Sequence, residues 1–217
     1  GPQPVAPGPL PSLGPTTTVP PTTTTLPPTT TRQEPTTSRA EPTTTLPPVQ
    51  GQLVLGVRGL GPATFGQPAD QVVAALRAVL GRPDEDRRWD QRKQQLFGVC
   101  PGSNHRFVRW GKLSVLFADG DTGQGNAGRQ HFFAWYAEAP KAAGKRLAPP
   151  EGVTVGSTTA QVRAAYGDRA TLWGAEGGLP AGFRVGSPQD FELFGWLTDP
   201  GPRGTVTMLA AGAPCGE

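Results

Sequence analysis

The stretch Phe65-Gly-Gln-Pro-Ala-Asp-Gln-Val-Val-Ala-Ala-Leu76 returns ninety residues on as Val155-Gly-Ser-Thr-Thr-Ala-Gln-Val-Arg-Ala-Ala-Tyr166. The two copies share Gly66/Gly156, Gln71/Gln161, Val72/Val162, Ala74/Ala164 and Ala75/Ala165. In each, a strand-like residue precedes a glycine and a helix start follows. Pro68 suits a first helical turn, where its missing N–H costs nothing, and Ser157, Thr158 and Thr159 offer hydroxyl caps to the second helix. Val72, Leu76, Val79 and Leu80 recur at helical spacing, as do Val162 and Tyr166, and Gly81 and Gly167 stand where the helices should stop.

Outward from each helix the apolar period falls from helical to two. The first copy offers strands near 106–110, 112–117 and 131–137, and the second near 170–173, 183–185, 192–198 and 205–210. Asp119-Gly-Asp-Thr-Gly-Gln-Gly-Asn126 and Asp199-Pro-Gly-Pro-Arg-Gly204 are turn-rich connectors between them. The predicted fold is therefore α+β: a tandem pair of helix-on-antiparallel-sheet units, over 51–148 and 149–217, long enough to bury roughly 70% of the unfolded surface.

Residues 1–50 are of another kind. Pro-Thr-Thr opens at Pro21, Pro28, Pro35 and Pro42, every seven residues, and this segment has no apolar face to bury. It cannot offset the entropy cost of folding, and its prolines favour the polyproline II conformation. A disordered stalk is expected, up to about 150 Å long at ~3.1 Å per residue, whose threonines can carry O-linked sugars outside a cell. The chain opens at Gly1-Pro2, contains no run of ~18 apolar residues, and so is expected to reach a membrane only through a segment preceding Gly1.

The net charge of +3 is mild. Its densest basic stretch, Arg82 to Lys93, is interleaved with Asp84, Glu85, Asp86 and Asp90, which reads as a solvated mixed-charge loop or helix rather than a phosphate-binding stripe, so no nucleic-acid partner is expected. Cys100 and Cys215 are too far apart in sequence for a metal or redox pair, and an even count beside an extracellular stalk favours a disulfide between them. Such a bond would tie the C-terminal tail to the first unit and stabilise by about 4–5 kcal/mol in the chain-entropy model. A Cys100 nucleophile served by His105 or His131 is the weaker reading.

Asp119 and Asp121 supply alternate carboxylates suited to Ca²⁺, but Gln124 takes the place that the helix–loop–helix calcium template gives to glycine, so a hairpin tip is the better reading. No cofactor is called for. Glycoside hydrolysis would need two carboxylates of opposed character, for which only Glu138, Glu192 and Asp190 lie beside aromatics.

The segments Phe97-Gly-Val-Cys-Pro-Gly102, Val108-Arg-Trp-Gly-Lys-Leu-Ser-Val-Leu-Phe117, Phe132-Phe-Ala-Trp-Tyr136, Gly152-Val-Thr-Val-Gly156 and Ala213-Pro-Cys-Gly-Glu217 resemble a little-characterised family of secreted or membrane-anchored proteins of high-GC Gram-positive bacteria. The resemblance implies an extracellular or cell-surface location and brings no activity with it. The tandem architecture is also similar to that of the β-lactamase inhibitor protein and of small outer-membrane assembly lipoproteins, which implies a protein-binding role.

The aromatics point the same way. Strict alternation puts Phe133 and Trp135 on one strand face opposite Phe132 and Tyr136, and Phe194 with Trp196 opposite Leu193 and Leu197. A sheet covered on one side needs only one apolar face, so either the two sheets or the linker bury the second apolar face, or Phe133, Trp135, Phe194 and Trp196 form a binding platform for protein or glycan. The expected function is a non-catalytic extracytoplasmic interaction module on a stalk, its partner a protein or a cell-wall glycan. In the glycan reading Trp110, Trp135 and Trp196 stack on sugars; an envelope hydrolase using Glu138 or Glu192 is the remaining alternative.

Overall fold

The computed structural model describes residues 51–89, 99–186 and 193–212, all within the compact unit Thr45–Glu217. The stalk segment 1–50, Asp190, Glu192 and Cys215 lie outside the described residues.

The two repeat segments form the helices. α1 spans Ala69–Leu80 and buries Ala69, Val72, Val73, Leu76 and Leu80. Pro68 sits one step earlier than expected, as the extended N-cap (φ −56°, ψ 138°), so its ring constrains the entry rather than the first turn. α1 ends at Gly81, whose N–H returns to the Arg77 carbonyl at φ +79°. α2 spans Thr159–Tyr166 and is held at its start by a capping box: Thr158 Oγ1 accepts from the Gln161 N–H, and Gln161 Oε1 accepts from the Thr158 N–H. Its buried residues are Thr159, Val162 and Tyr166.

The rest is largely strand. Ahead of α1 come β1 (Gln52–Gly56), β2 (Gly59–Leu60) and β3 (Ala63–Thr64). Between the helices lie β4 (Glu85–Trp89), β5 (His105–Trp110), β6 (Leu113–Ala118), β7 (His131–Ala137), β8 (Lys141–Ala142) and β9 (Lys145–Ala148). After α2 follow β10 (Ala170–Trp173), β11 (Gly182–Val185), β12 (Leu193–Leu197) and β13 (Val206–Gly212). A small mixed sheet has the order β3-β2-β1-β9-β8, with β1 and β9 parallel. The main sheet is antiparallel, in the order β10-β11-β12-β13-β7-β6-β5-β4. The meander after α1 and the meander after α2 thus meet through β7 and β13, where Ala211 faces Trp135 and Leu209 faces Ala137.

Residues 85–89 correct the expectation of a loop or helix. They form the edge strand β4, whose Glu-Asp-Arg-Arg sequence satisfies alternation with charge instead of apolar groups. Charges on an outermost strand deter pairing with another chain. Here they also cross-link to the neighbouring strand and to α1: Arg106 Nε donates to Asp86 at 2.8 Å and Arg106 Nη1 to Asp70 at 2.7 Å, while Arg109 pairs with Glu85 at 3.1 Å.

One face of the main sheet carries the core. Val108, Trp110, Leu113, Val115, Phe117, Phe132, Trp135, Phe183, Leu193 and Leu209 pack there with the buried stripes of both helices and with Leu53, Leu55, Leu60 and Leu147 of the small sheet. A shift of register between Leu116 and Phe117 lets Phe132 and Trp135 both enter this core, while Phe133 turns to the opposite face among Phe107, Leu116 and Ala118. The expected alternation, with Phe133 and Trp135 together, is corrected by this bulge, which adds one residue to β7 and resets the pleat.

Candidate functional site

The second face of the main sheet follows from the register. Across β10 to β13 one row reads Trp173, Gly182, Trp196, Met208; the next reads Thr171, Arg184, Phe194, Ala210, and continues onto β7 with Tyr136. Four rings therefore run together over this half of the sheet. Tyr136 meets Phe194 at 6.4 Å between centroids and 83°, Phe194 meets Trp196 at 6.0 Å and 71°, and Trp196 meets Trp173 at 6.1 Å and 89°. Each contact is edge-to-face, the favoured arrangement for paired quadrupoles, so the rings fix one another's orientation. All four are part-exposed, whereas Ala210 and Met208 between them are buried.

Gly182 is the seat of this stripe. A Cβ there would collide with Cζ2 of Trp173, so the missing side chain lets the indole lie across the neighbouring strand. Trp173 Nε1 is fixed there by donating to the Pro180 carbonyl at 3.2 Å. Arg184 is exposed and level with Phe194, and beyond Tyr136 the same row runs on through Ser114 to Arg109 and Glu85. Burial pushes the Tyr136 phenol up to about 12, so it stays protonated at ordinary pH and offers no base.

Of the expected platform, Phe194 and Trp196 lie on this face. Phe133 and Trp135 are both 0% exposed and belong to the interior; Trp135 Nε1 donates to the Gly56 carbonyl at 3.0 Å. Trp110, the third tryptophan of the glycan reading, is 1% exposed and donates to the Gly81 carbonyl. Sequence reasoning missed Trp173 and Tyr136. Alternation within 170–173 sets Trp173 opposite Leu172, but which strands adjoin depends on register, and the pairing of β7 with β13 joins strands distant in sequence, which periodicity does not encode.

The other candidates resolve into structural roles. Asp119 accepts from the backbone N–H groups of Ser103 and Asn104 at 2.8 and 2.9 Å and from Asn104 Nδ2 at 2.6 Å, which holds its carboxyl down at about 2. Asp121 accepts from the Gly123 N–H in a tight turn. Among the described residues no three His, Cys, Asp or Glu side chains gather as metal ligands. His131 Nδ1 lies 2.9 Å from the Arg129 carbonyl and must donate to it, leaving Nε2 to the Thr122 hydroxyl at 2.8 Å. His105 is 1% exposed, with Nε2 at 3.1 Å from the Pro101 carbonyl. Cys100 is buried against Phe107, Leu116 and Phe133; the other half of its expected bond falls outside the described residues. Glu138 is exposed, and both of its intended carboxylate partners also fall outside them.

No helix among the described residues is long and apolar enough to cross a membrane. No protein-family model, curated protein or solved structure matches this chain.

Proposed function

We propose that this chain is a non-catalytic binding module of the extracytoplasmic space, built as two helix-plus-meander repeats on a Thr/Pro stalk, and that it recognises a protein partner through the Tyr136–Phe194–Trp196–Trp173 face. The observation that carries this reading is the stripe itself. Four aromatic rings remain part-exposed on the face opposite the main core, beside the part of that face where Phe107, Leu116 and Phe133 form a second buried cluster against which Tyr136 packs. Rigid, amphipathic aromatics that are pre-ordered by their neighbours lose little entropy on binding and are the residue types that dominate interface energetics. The extracytoplasmic location rests on the stalk composition and on the Cys100–Cys215 pair, which suits an oxidising compartment.

The test is a pull-down from native envelope with the full chain, comparing wild type, Trp196→Ala and a control, Arg203→Ala, in the exposed turn before β13. The reading expects a partner retained by wild type and by the control and lost with Trp196→Ala. Retention by all three would refute this face as the binding surface.

A further inference from the structure

We infer that β10, an outermost strand of the main sheet, pairs antiparallel with β10 of a second copy of this chain, about a two-fold axis perpendicular to the sheet. The outer backbone N–H and C=O groups of an edge strand have no ladder partner and are a template for another chain, so edges are normally shortened, charged or covered. Among the described residues, three of the four sheet edges follow that rule. β4 carries Glu85, Asp86, Arg87 and Arg88. β3 is two residues long and packs against α1, and β8 is two residues long and bears the exposed Lys141. β10 is longer, Ala170-Thr-Leu-Trp173, has no charge and no proline, and closes the sheet order with β11 as its one neighbour.

The core is also unfinished at this edge. Ala170 and Leu172 pack on the core face, and Ala165 belongs to α2, which lies against β10; all three are only partly buried. A two-fold perpendicular to the sheet brings matching faces together. Centred on Thr171, it sets the two exposed threonines opposite one another, a favourable cross-strand pair, and Ala170 opposite the second copy's Leu172. Each copy then covers the open margin of the other's core. Charge does not oppose the pairing. Arg169, just before β10, is paired with Glu151 at 3.7 Å. Arg184 stands one strand inward, level with Thr171, so the two copies of it are three strand spacings apart, about 14 Å, beyond the screening length of about 8 Å at physiological salt. The row Tyr136, Ala210, Phe194, Arg184, Thr171 runs on across the seam into its counterpart, so a dimer presents two aromatic faces on one side of a continuous sheet. The pairing holds whether or not that face binds a partner.

Light scattering coupled to size-exclusion chromatography, on the full chain over a range of concentrations, tests this. The inference expects wild type to approach twice the 22.7 kDa of one chain as concentration rises. Thr171 is exposed, so Thr171→Lys and Thr171→Glu should fold as wild type does, with thermal melts to check it. Each variant sets like charges opposite one another at the seam and should weaken its own association about a hundredfold. Mixing the two should restore a dimer, because Lys then faces Glu, and that recovery separates repulsion at the seam from misfolding. A wild-type chain that stays monomeric at the highest concentration overturns the inference. So does a dimer indifferent to both substitutions, which would place the contact elsewhere, and so do folded variants that remain monomeric when mixed.

Discussion

Replacing Trp135 with alanine should cost far more stability than replacing Trp196, although both are tryptophans on neighbouring parts of one sheet. Trp135 is 0% exposed, lies on the core face, and donates to the Gly56 carbonyl at 3.0 Å, which ties the main sheet to β1. Truncating a fully buried Trp loses its transfer free energy and leaves a cavity, together about 3–5 kcal/mol. The carbonyl left without its donor places this case at the upper end. Trp196 is part-exposed and rests on two edge-to-face contacts worth about 0.5–1.5 kcal/mol each, so Trp196→Ala should cost about 1–3 kcal/mol. Urea unfolding of the full chain, followed by far-UV circular dichroism, reads both. In a domain of this size Trp135→Ala should also lower Tm by about 10–15 °C. Equal losses for the two variants would refute the assignment of faces, and with it the claim that only the second face is available to a partner.

Further outcomes follow from single contacts. The intact chain purified without reductant should be lighter by about two hydrogens than the reduced chain, as a Cys100–Cys215 bond requires, and two free thiols would exclude it. Asp119→Ala should destabilise at pH 7 by about 1–2 kcal/mol, since its carboxylate holds the Ser103–Asn104 backbone. The Asp119 carboxyl sits at about 2 when folded against 3.8 ordinarily, so its stabilisation is complete above the unfolded value and is lost as pH falls towards 2. The gap between Asp119→Ala and wild type should therefore narrow in acid, and a gap independent of pH would contradict the contact. Thr158→Ala should cost about 0.5–2 kcal/mol by removing the cap of α2, measured by the same urea titration. Gly182→Val should displace Trp173, seen as a change in near-UV circular dichroism; an unchanged spectrum would mean the indole does not rest on that strand.

Much of the secondary structure was legible because it is local. Helical spacing placed α1 and α2 within a residue or two, and alternation placed β5, β6, β7 and the four strands after α2 close to where they lie. The charged strand β4 was not legible as a strand, since its partners Arg106, Arg109 and Asp70 are distant in sequence and its apolar period is absent. The short strands of the small sheet were missed because two-residue elements carry no period. The platform was half legible. Phe194 and Trp196 were placed by strict alternation, but one inserted residue in β7, Phe133, set Trp135 on the core face, and no sequence signal marks that bulge. Tyr136 and Trp173 joined the site through register alone.

The central claim is that the partner sits on the Tyr136–Phe194–Trp196–Trp173 face. Photo-crosslinking tests it most directly, with p-benzoylphenylalanine placed at Phe194 and, in a second variant, at Leu179, an exposed apolar residue of the turn between β10 and β11. Irradiation of the full chain with native envelope should give a discrete covalent adduct from position 194, suppressed when Trp196→Ala is added. Adducts from position 179 with none from 194, or an adduct at 194 indifferent to Trp196→Ala, would contradict the account.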